Sequence, residues 1–457
     1  QQCEKYIHQE ISWTTLVTDL MNIIGVAVVA GSARRSAEIS LGSPHDIEFL
    51  DLKDYRKNPT RSEWAFMSNN TVVMKERNDF LQIPNVIKRV REKGEPGIAN
   101  LLNIQRFARI GDENYGTDKA SGLNPCGEIA LESAELCCLA DIYPTHCSTR
   151  KEFLQACDDA CFYASTVSLY PTTSSRTNEI IARNHRICIS LVGVADWVDT
   201  WTLTKCIRWI KDGYHLVRRV NEEYNRAAGV APSIRVATVK PAGTVSQLAG
   251  VSNGMHWPHF QYALRRMIVS VAQPLVKVLA AAGYTYEPQV DFVPTDRAYS
   301  EGRVHMPKYA SFAPAGMEAV ESRLSVVFEI PIENEGAREA KEVSAWEQFA
   351  LLGTLGREWA DNCVSCTILF DQEKEGHQLE RMVAQFLPVI KSVSILPHTP
   401  EGVYAQMPYS RLTKEEYDVR IKALKPIDWA SFSSNGTDVK YCDSEKCELN
   451  FEGVSNV

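Results

Sequence analysis

Residues 124–128 read Asn124-Pro125-Cys126-Gly127-Glu128. A thiol here has an amide on one side and a carboxylate on the other, each one residue removed from direct adjacency. Pro125 fixes its own φ and biases Asn124 away from helix. Gly127 can take backbone angles closed to other residues. The pattern predicts a constrained loop tip that presents Cys126, with Asn124 and Glu128 beside it. A nucleophile or a radical carrier needs that presentation. A carboxylate there can serve as a base, and an amide can orient hydroxyls. The spacing alone is equally met by a turn around an inert, buried cysteine.

A second stretch has the makings of an anion site. Residues 233–239 read as a buried strand that runs into Lys240-Pro241-Ala242-Gly243-Thr244-Val245-Ser246-Gln247. Strand, small-residue turn and helix start together aim backbone N–H groups and hydroxyls at a ligand. The plainer reading is a connecting loop with a Thr or Ser cap. Gly31-Ser32-Ala33-Arg34-Arg35-Ser36 fits both a phosphate turn and a solvated basic turn. Cys157 and Cys161 lie one helical turn apart with no third ligand at metal spacing, so packing is the better account. Cys363 and Cys366 with Cys442 and Cys447 would make a four-thiolate zinc site only if the two pairs met. Against that, Cys363 and Cys366 stand at the mouth of an apolar strand, where side chains alternate faces. His256 is a lone histidine, and the structural role is the commoner one.

The elements that must position these groups follow from periodicity. Residues 13–30 predict a helix leading into an apolar strand at 25–30. Residues 46–53 form a short alternating stretch. Helical spacing covers 75–93, 97–109, 149–170, 204–228, 261–283, 337–362, 379–386 and 413–424. Strands are expected at 184–190, 233–239, 324–332 and 364–370, and loops at 284–299 and 397–407. After Trp429 the composition turns to Ser, Asn, Gly and Asp, which predicts a mobile tail holding Cys442 and Cys447. Strands alternating with long helices predict an α/β fold with parallel strands. That pattern does not separate a doubly wound sheet from a barrel.

A chain of 457 residues with 44% hydrophobic and 23% charged residues is ordinary for a soluble enzyme. It is long enough for one large unit or several smaller ones. The net charge of −8 argues against a general nucleic-acid binder. No apolar run is long enough to span a bilayer, which argues against a membrane protein. The thirteen cysteines do not have the arrangement of a secreted disulfide framework, so a reducing, cytoplasmic location is expected. The absence of an initiator Met suggests a fragment, a processed chain or one half of a split enzyme.

Asn124 to Ile129, with Leu131, Glu135 and Cys137 after it, resembles the finger loop of adenosylcobalamin-dependent ribonucleotide reductases. The monomeric, triphosphate-reducing type is the nearest in pattern. The resemblance covers most of the chain, but only the later part of such an enzyme. It implies a ten-stranded α/β barrel of the ribonucleotide reductase and glycyl radical enzyme type, incomplete at its N-terminus, with the finger loop threaded through it. The implied organisation is a catalytic barrel at 1–395 with its finger loop at 121–138. A cobalamin-associated region at 396–435 and a mobile redox tail at 436–457 complete it.

By the same resemblance, Cys126 matches the thiyl radical carrier, Glu128 the base for the 3′-hydroxyl, and Asn124 the amide that binds the ribose. Cys137 matches the second cysteine of the internal reducing pair, whose first member would lie upstream of Gln1. Cys442 and Cys447 match the tail pair that passes electrons from thioredoxin. Pro241, Gly243, Thr244 and Ser246 match the loop that grips substrate phosphates. The implied reaction is thioredoxin-dependent reduction of ribonucleoside triphosphates to their 2′-deoxy forms, with adenosylcobalamin as cofactor. The alternative is a catalytically incomplete polypeptide that binds nucleotide or an N-terminal partner chain. By approximate position only, residues 283–340 and 396–435 would line the cobalamin.

Overall fold

The computed structural model describes residues 2–29, 36–112, 118–136, 138–313, 316–334, 336–398 and 405–430. The chain divides into two compact units, Gln1–Gln261 with Glu333–Glu401, and Tyr262–Ile332 with Gly402–Val457.

Among the described residues, the first unit is built on eight strands. These are β1 (Glu38–Gly42), β2 (Ser68–Met74), β3 (Gly97–Asn100), β6 (Cys138–Ile142), β7 (Ile187–Leu191), β8 (Ala237–Thr238), β12 (Thr367–Phe370) and β13 (Ser392–Pro397). A short hairpin, β4 (Gly122–Leu123) and β5 (Ala130–Leu131), lies between β3 and β6 in the chain. One sheet has the order β1-β2-β3-β13-β12 and another the order β6-β7-β8. A parallel bridge, Val239 to Val364, joins β8 to the segment entering β12. Pairing is parallel within β1-β2-β3 and along β13-β12 and β8-β7-β6, and antiparallel only where β3 meets β13. Two parallel groups meeting head to tail form an α/β arc with most of the strands of the expected barrel.

The central strands are buried on both faces, as parallel strands covered by helices must be. All five residues of β7 are buried. The helices Arg150–Val167 and Leu203–Ala227 pack over it. Cys157 and Cys161 lie in that core, among Phe153, Trp197, Trp209 and Val217. The helix Ala345–Glu358 starts at Ser344, whose side chain accepts from Glu347 N.

The second unit carries β9 (Tyr262–Ser270), β10 (Tyr286–Pro294), β11 (Met317–Glu333) and β14 (Tyr409–Arg411) in the order β10-β11-β9-β14. Its core is Val269, Leu279, Val326 and Phe328.

Four sequence expectations fail. The helix expected at 97–109 covers only Leu101–Arg106, because Gly97–Asn100 is the buried strand β3. Residues 25–29 are not a strand, since one helix runs Trp13–Val29. A short apolar run fits either period, and here the preceding helix extends through it. Residues 46–53 hold a helix, Ile47–Asp51, capped by Asp46. Residues 261–299 were expected as helix then loop, yet they form β9, the helix Leu275–Ala281, and β10. Pro288 and Pro294 suggested the loop. In the structure β10 is an edge strand with a register shift between Pro288 and Val290, where proline is tolerated.

Candidate active site

The finger loop is a tight hairpin. Asn124 N donates to Ile129 O at 3.1 Å, and Gly127 N donates to Asn124 O at 2.9 Å. Gly127 has φ +75°, so the turn requires the residue that takes that angle without strain. The Asn124 side chain accepts from Ile129 N at 2.9 Å, closing the loop from inside. Cys126 therefore stands at the tip, as its neighbours predict, and it is exposed. The protein packed around it and the Glu128 carboxylate push its thiol pKa up. At neutral pH it holds its proton.

Glu128 lies on the opposite side of the turn and is 4% exposed. Its Oε2 is buried and has no hydrogen-bond partner. Burial raises its pKa, partly offset by a hydrogen bond from Asn124 and by the charge of Lys240. The loop thus holds a protonated thiol at its tip and a carboxyl poised to exchange a proton at its base.

The hairpin is pinned from several strands at once. Asn69 of β2 donates to Pro125 O at 3.0 Å. Ser392 of β13 donates to Gly127 O at 3.0 Å. Thr238 of β8 donates to both Glu128 O (2.8 Å) and Cys363 O (2.9 Å). Cys363 N donates to Glu128 O at 2.9 Å. The hollow beside Cys126 is lined by Asn69, Thr71, Ser365, Cys366, Ser392 and Ser394 among others. Cys363 and Cys366 drew notice in the sequence only as a candidate zinc pair; Asn69, Thr71, Ser392 and Ser394 do not stand out, because each is an ordinary strand residue far from the motif. Thr238 was the nearest to visible, because it lies just before the Lys240–Gln247 stretch.

Beneath the loop lies a buried ionic cluster. Arg186 donates to Asp118 through both Nη1 and Nη2 at 3.0 Å, and its Nε to Glu135 at 2.9 Å. Arg235 also donates to Asp118. Burial would raise the Asp118 pKa, but the two guanidinium groups outweigh it and hold the carboxyl well below its usual range. Asp118 Oδ1 in turn accepts from Ala120 N at 2.9 Å, at the start of the finger loop. Lys391 is buried and donates to the carbonyls of Ala360, Asp361 and Asn362. Those residues lead directly to Cys363 and its bond to Glu128 O.

The loop after β8 carries Pro241, Gly243, Thr244 and Ser246. Thr244 precedes a helix of only five residues, Val245–Ala249, and makes no side-chain cap bond. Ser246 is fully buried and its Oγ has no partner. Lys240 pairs with Asp141 at 2.8 Å, and its charge offsets a small part of the rise in the pKa values of both Cys126 and Glu128. Lys240 thus joins the anion loop to the finger loop, a link that the sequence reading missed. His256 is structural: its Nδ1 lies 3.0 Å from Asn253 O, and its Nε2 accepts from Thr367 N at 2.9 Å.

Cys137, Cys442, Cys447, Arg34 and Arg35 lie outside the described residues. Cys363 and Cys366 are both buried. Among the described residues no group of three or more His, Cys, Asp or Glu is placed to hold a metal ion. No helix among them is long and apolar enough to cross a membrane.

No protein-family model matches the chain. Curated proteins do. A probable adenosylcobalamin-dependent ribonucleoside-triphosphate reductase of Dictyostelium discoideum is 36% identical over 99% of this chain and 57% of its own length. The adenosylcobalamin-dependent ribonucleoside-triphosphate reductase of Euglena gracilis is 35% identical over 95% of this chain and 56% of its own. That of Lactobacillus leichmannii is 33% identical over 94% and 58%. The chain therefore spans somewhat over half the length of the curated relatives it matches. A crystal structure of a B-12 dependent (class II) ribonucleotide reductase superposes with a TM-score of 0.74 at 29% identity, over 93% of this chain and 58% of that one.

Proposed function

The chain belongs to the adenosylcobalamin-dependent ribonucleoside-triphosphate reductase family, and from that premise we propose that it carries the reacting centre for reducing a ribonucleoside triphosphate to its 2′-deoxy form. What carries the reading is the pairing of an exposed, protonated thiol at Cys126 with a buried carboxylate oxygen at Glu128 that has no partner.

The ribose 2′-carbon carries no electron sink, so acid–base steps alone do not expel its hydroxyl. Cys126 is the thiyl carrier that removes the 3′-hydrogen atom. Its raised pKa keeps the S–H intact for returning that atom at the end. Glu128 Oε2 accepts the proton of the 3′-hydroxyl, and the Asn124 amide orients the ribose. The 2′-hydroxyl leaves as water on taking a proton from a thiol of the reducing dithiol, and Glu128 gives its proton back to the 3′-oxygen as the 3′-carbon regains its hydrogen atom. The two electrons come from a dithiol that becomes a disulfide, with Cys137 as one member. Cys442 and Cys447 of the tail then reduce it and are themselves reduced by thioredoxin. Pro241, Gly243, Thr244 and Ser246 hold the phosphates, with the partnerless Ser246 Oγ as a ready donor.

Adenosylcobalamin, when bound, supplies the radical equivalent for Cys126. The second unit offers part of a fitting surface. A mostly apolar pocket of about 290 Å³ is lined by Arg266, Gln289, Phe292, Gln406 and Pro408 among others. Arg266 Nε is buried there without a partner. This volume suits one polar edge of a corrin ring, not the whole group, and Arg266 and Gln289 would hold that edge. The domain roles carry over as proposals: catalytic barrel at 1–395, cobalamin-associated region at 396–435, redox tail at 436–457.

The test is reconstitution. The chain, adenosylcobalamin, a thioredoxin system and a ribonucleoside triphosphate are expected to yield deoxyribonucleotide. Product formed only on adding a second polypeptide would assign the activity to an assembly. No product under either condition overturns the proposal.

A further inference from the structure

Lys240 stands at the end of the strand that braces Glu128 and at the start of the proposed phosphate loop. Asp141 on β6, Ser190 on β7 and Thr238 on β8 lie side by side in register. Residues in register on parallel strands share a face, and so do alternate residues along one strand. The pairing runs on past β8 through the Val239–Val364 bridge, so Lys240 leaves the strand on the face that carries Thr238. That face looks at the base of the finger loop, since Thr238 Oγ1 donates to Glu128 O at 2.8 Å.

The lysine is fixed at both ends. Its backbone N–H donates to Ser190 Oγ at 2.9 Å. Gly254 packs so closely on its carbonyl that a Cβ there would stand 2.5 Å from the oxygen. Its ammonium lies 2.8 Å from Asp141 Oδ2, and the two side chains are largely shielded, at 20% and 13% exposure. Asp141 Oδ1 is buried with no hydrogen-bond partner, so among the described residues Lys240 is the cation paired with this carboxylate. A charge held in this way, mostly out of water, acts on its neighbours with little screening and needs no reorganisation.

We propose that Lys240 is a positioning residue: its ammonium, held back by Asp141, is the standing positive charge that keeps the Glu128 carboxylate ionised and ready to accept a proton. Its place in the reaction rests on Glu128 serving as the base. Around Glu128, Cys126 stands on its own loop, Cys363 and Cys366 on the segment entering β12, and Lys240 after β8. The three thiols keep their protons, because burial pushes their pKa values up. Tyr143, beside Asp141, is neutral for the same reason. Beyond Cys363, Lys391 is committed to the carbonyls of residues 360–362, and Arg186 and Arg235 to Asp118. The charge of Lys240 is felt at Glu128 as a partial offset to the rise that burial causes. Asp141 draws the ammonium to itself and tempers that offset.

The experiment reads Glu128 in two ways. Infrared difference spectra of the full chain across pH follow the protonated carboxyl band that is lost in Glu128→Gln. The kcat of the reconstituted reaction over the same range gives its acid limb. Lys240→Met should move both upward on the order of half a pH unit, about a threefold loss of rate on the acid limb, with KM for the nucleoside triphosphate unchanged. Asp141→Asn should move both downward, and Lys240→Arg should restore the wild-type positions. Lys240→Met leaves Asp141 buried without its partner, so the double variant Asp141→Asn/Lys240→Met guards against loss of fold and should show the same upward shift. A band that titrates as in the wild type in every variant overturns the proposal. A rise in KM with band and acid limb unmoved overturns it too, and makes Lys240 a phosphate ligand. Bands that shift as stated support the proposal; rates that then ignore those shifts overturn Glu128 as the base.

Discussion

The tip of the finger loop and the antiparallel sheet of the second unit are held by different means. The base of the loop buries Leu123 and Ala130 in a small apolar cluster with Val73, Ala99, Ile104, Ala120 and Cys363, while residues 124–128 at its tip contribute nothing to that cluster. The tip is fixed by directed bonds: Asn69 to Pro125 O, Ser392 to Gly127 O, and Thr238 and Cys363 N to Glu128 O. The sheet of the second unit is fixed by side-chain burial around Phe328, whose ring lies 4.9 Å from that of Tyr286. Directed bonds to backbone carbonyls set the position of a loop within tenths of an ångström, which suits a group that must meet a reacting atom. Burial fixes a fold and tolerates some sliding, which suits a surface that need only be present.

Substitutions should separate these two kinds of support. The largest effect belongs to Glu128. Glu128→Gln removes the proposed base and should cut deoxynucleotide formation on the order of 10²- to 10⁴-fold, read from initial rates at saturating substrate. Its stability should move the other way. The folded-state pKa of Glu128 is raised, so the folded chain binds the proton more tightly than the unfolded one. The carboxyl's favourable contribution is complete below its unfolded pKa and is lost as pH rises through the folded value. Glu128→Gln should therefore raise the melting temperature at pH 7 and leave it nearly unchanged at pH 4. A variant destabilised at pH 7 would mean that Oε2 has a partner after all.

Next is Asp118, which receives both Arg186 and Arg235. Asp118→Asn strands buried guanidinium charge and should cost about 3–5 kcal/mol. The sign is opposite to that of Glu128. The folded pKa is lowered, so the stabilisation is present above the unfolded pKa and is lost as pH falls through the folded one. Denaturant curves for this variant and wild type should converge in acid.

Phe328→Ala should destabilise the second unit by about 3 kcal/mol. Hydrogen exchange should then rise across β9, β10 and β11, with the finger-loop amides still protected. Equal loss of protection in both places would erase the contrast drawn above.

The smallest effect is expected from Thr238→Val, about 1 kcal/mol by denaturation. Glu128 O keeps Cys363 N, and Cys363 O keeps Val239 N, so neither carbonyl is orphaned. A larger loss would make the threonine hydroxyl the main clasp of the loop.

The sequence was most legible where backbone constraint and chemistry coincide. Pro125 and Gly127 bracket Cys126 because only that turn presents it, and the hairpin forms where they predict it. The α/β class also followed from strands alternating with long helices. The supporting residues were not legible. Asn69, Thr238, Ser392 and Lys391 act through side chains brought together from distant strands, and a local pattern does not encode that meeting. In the second unit, periodicity misled. β9 is only half-buried, so its apolar spacing imitated a helix, and two prolines disguised the edge strand β10. Residues 25–29 failed for the complementary reason, since a run of small apolar residues continues a helix as readily as it starts a strand.

All of this serves one sulfur atom at the tip of a pinned loop. Replacing Cys126 with serine keeps the turn, the exposure and the neighbours, and removes only the S–H bond. In the reconstituted reaction, Cys126→Ser should bind ribonucleoside triphosphate as the wild type does and release no deoxyribonucleotide. Product at a rate near that of the wild type would contradict the account.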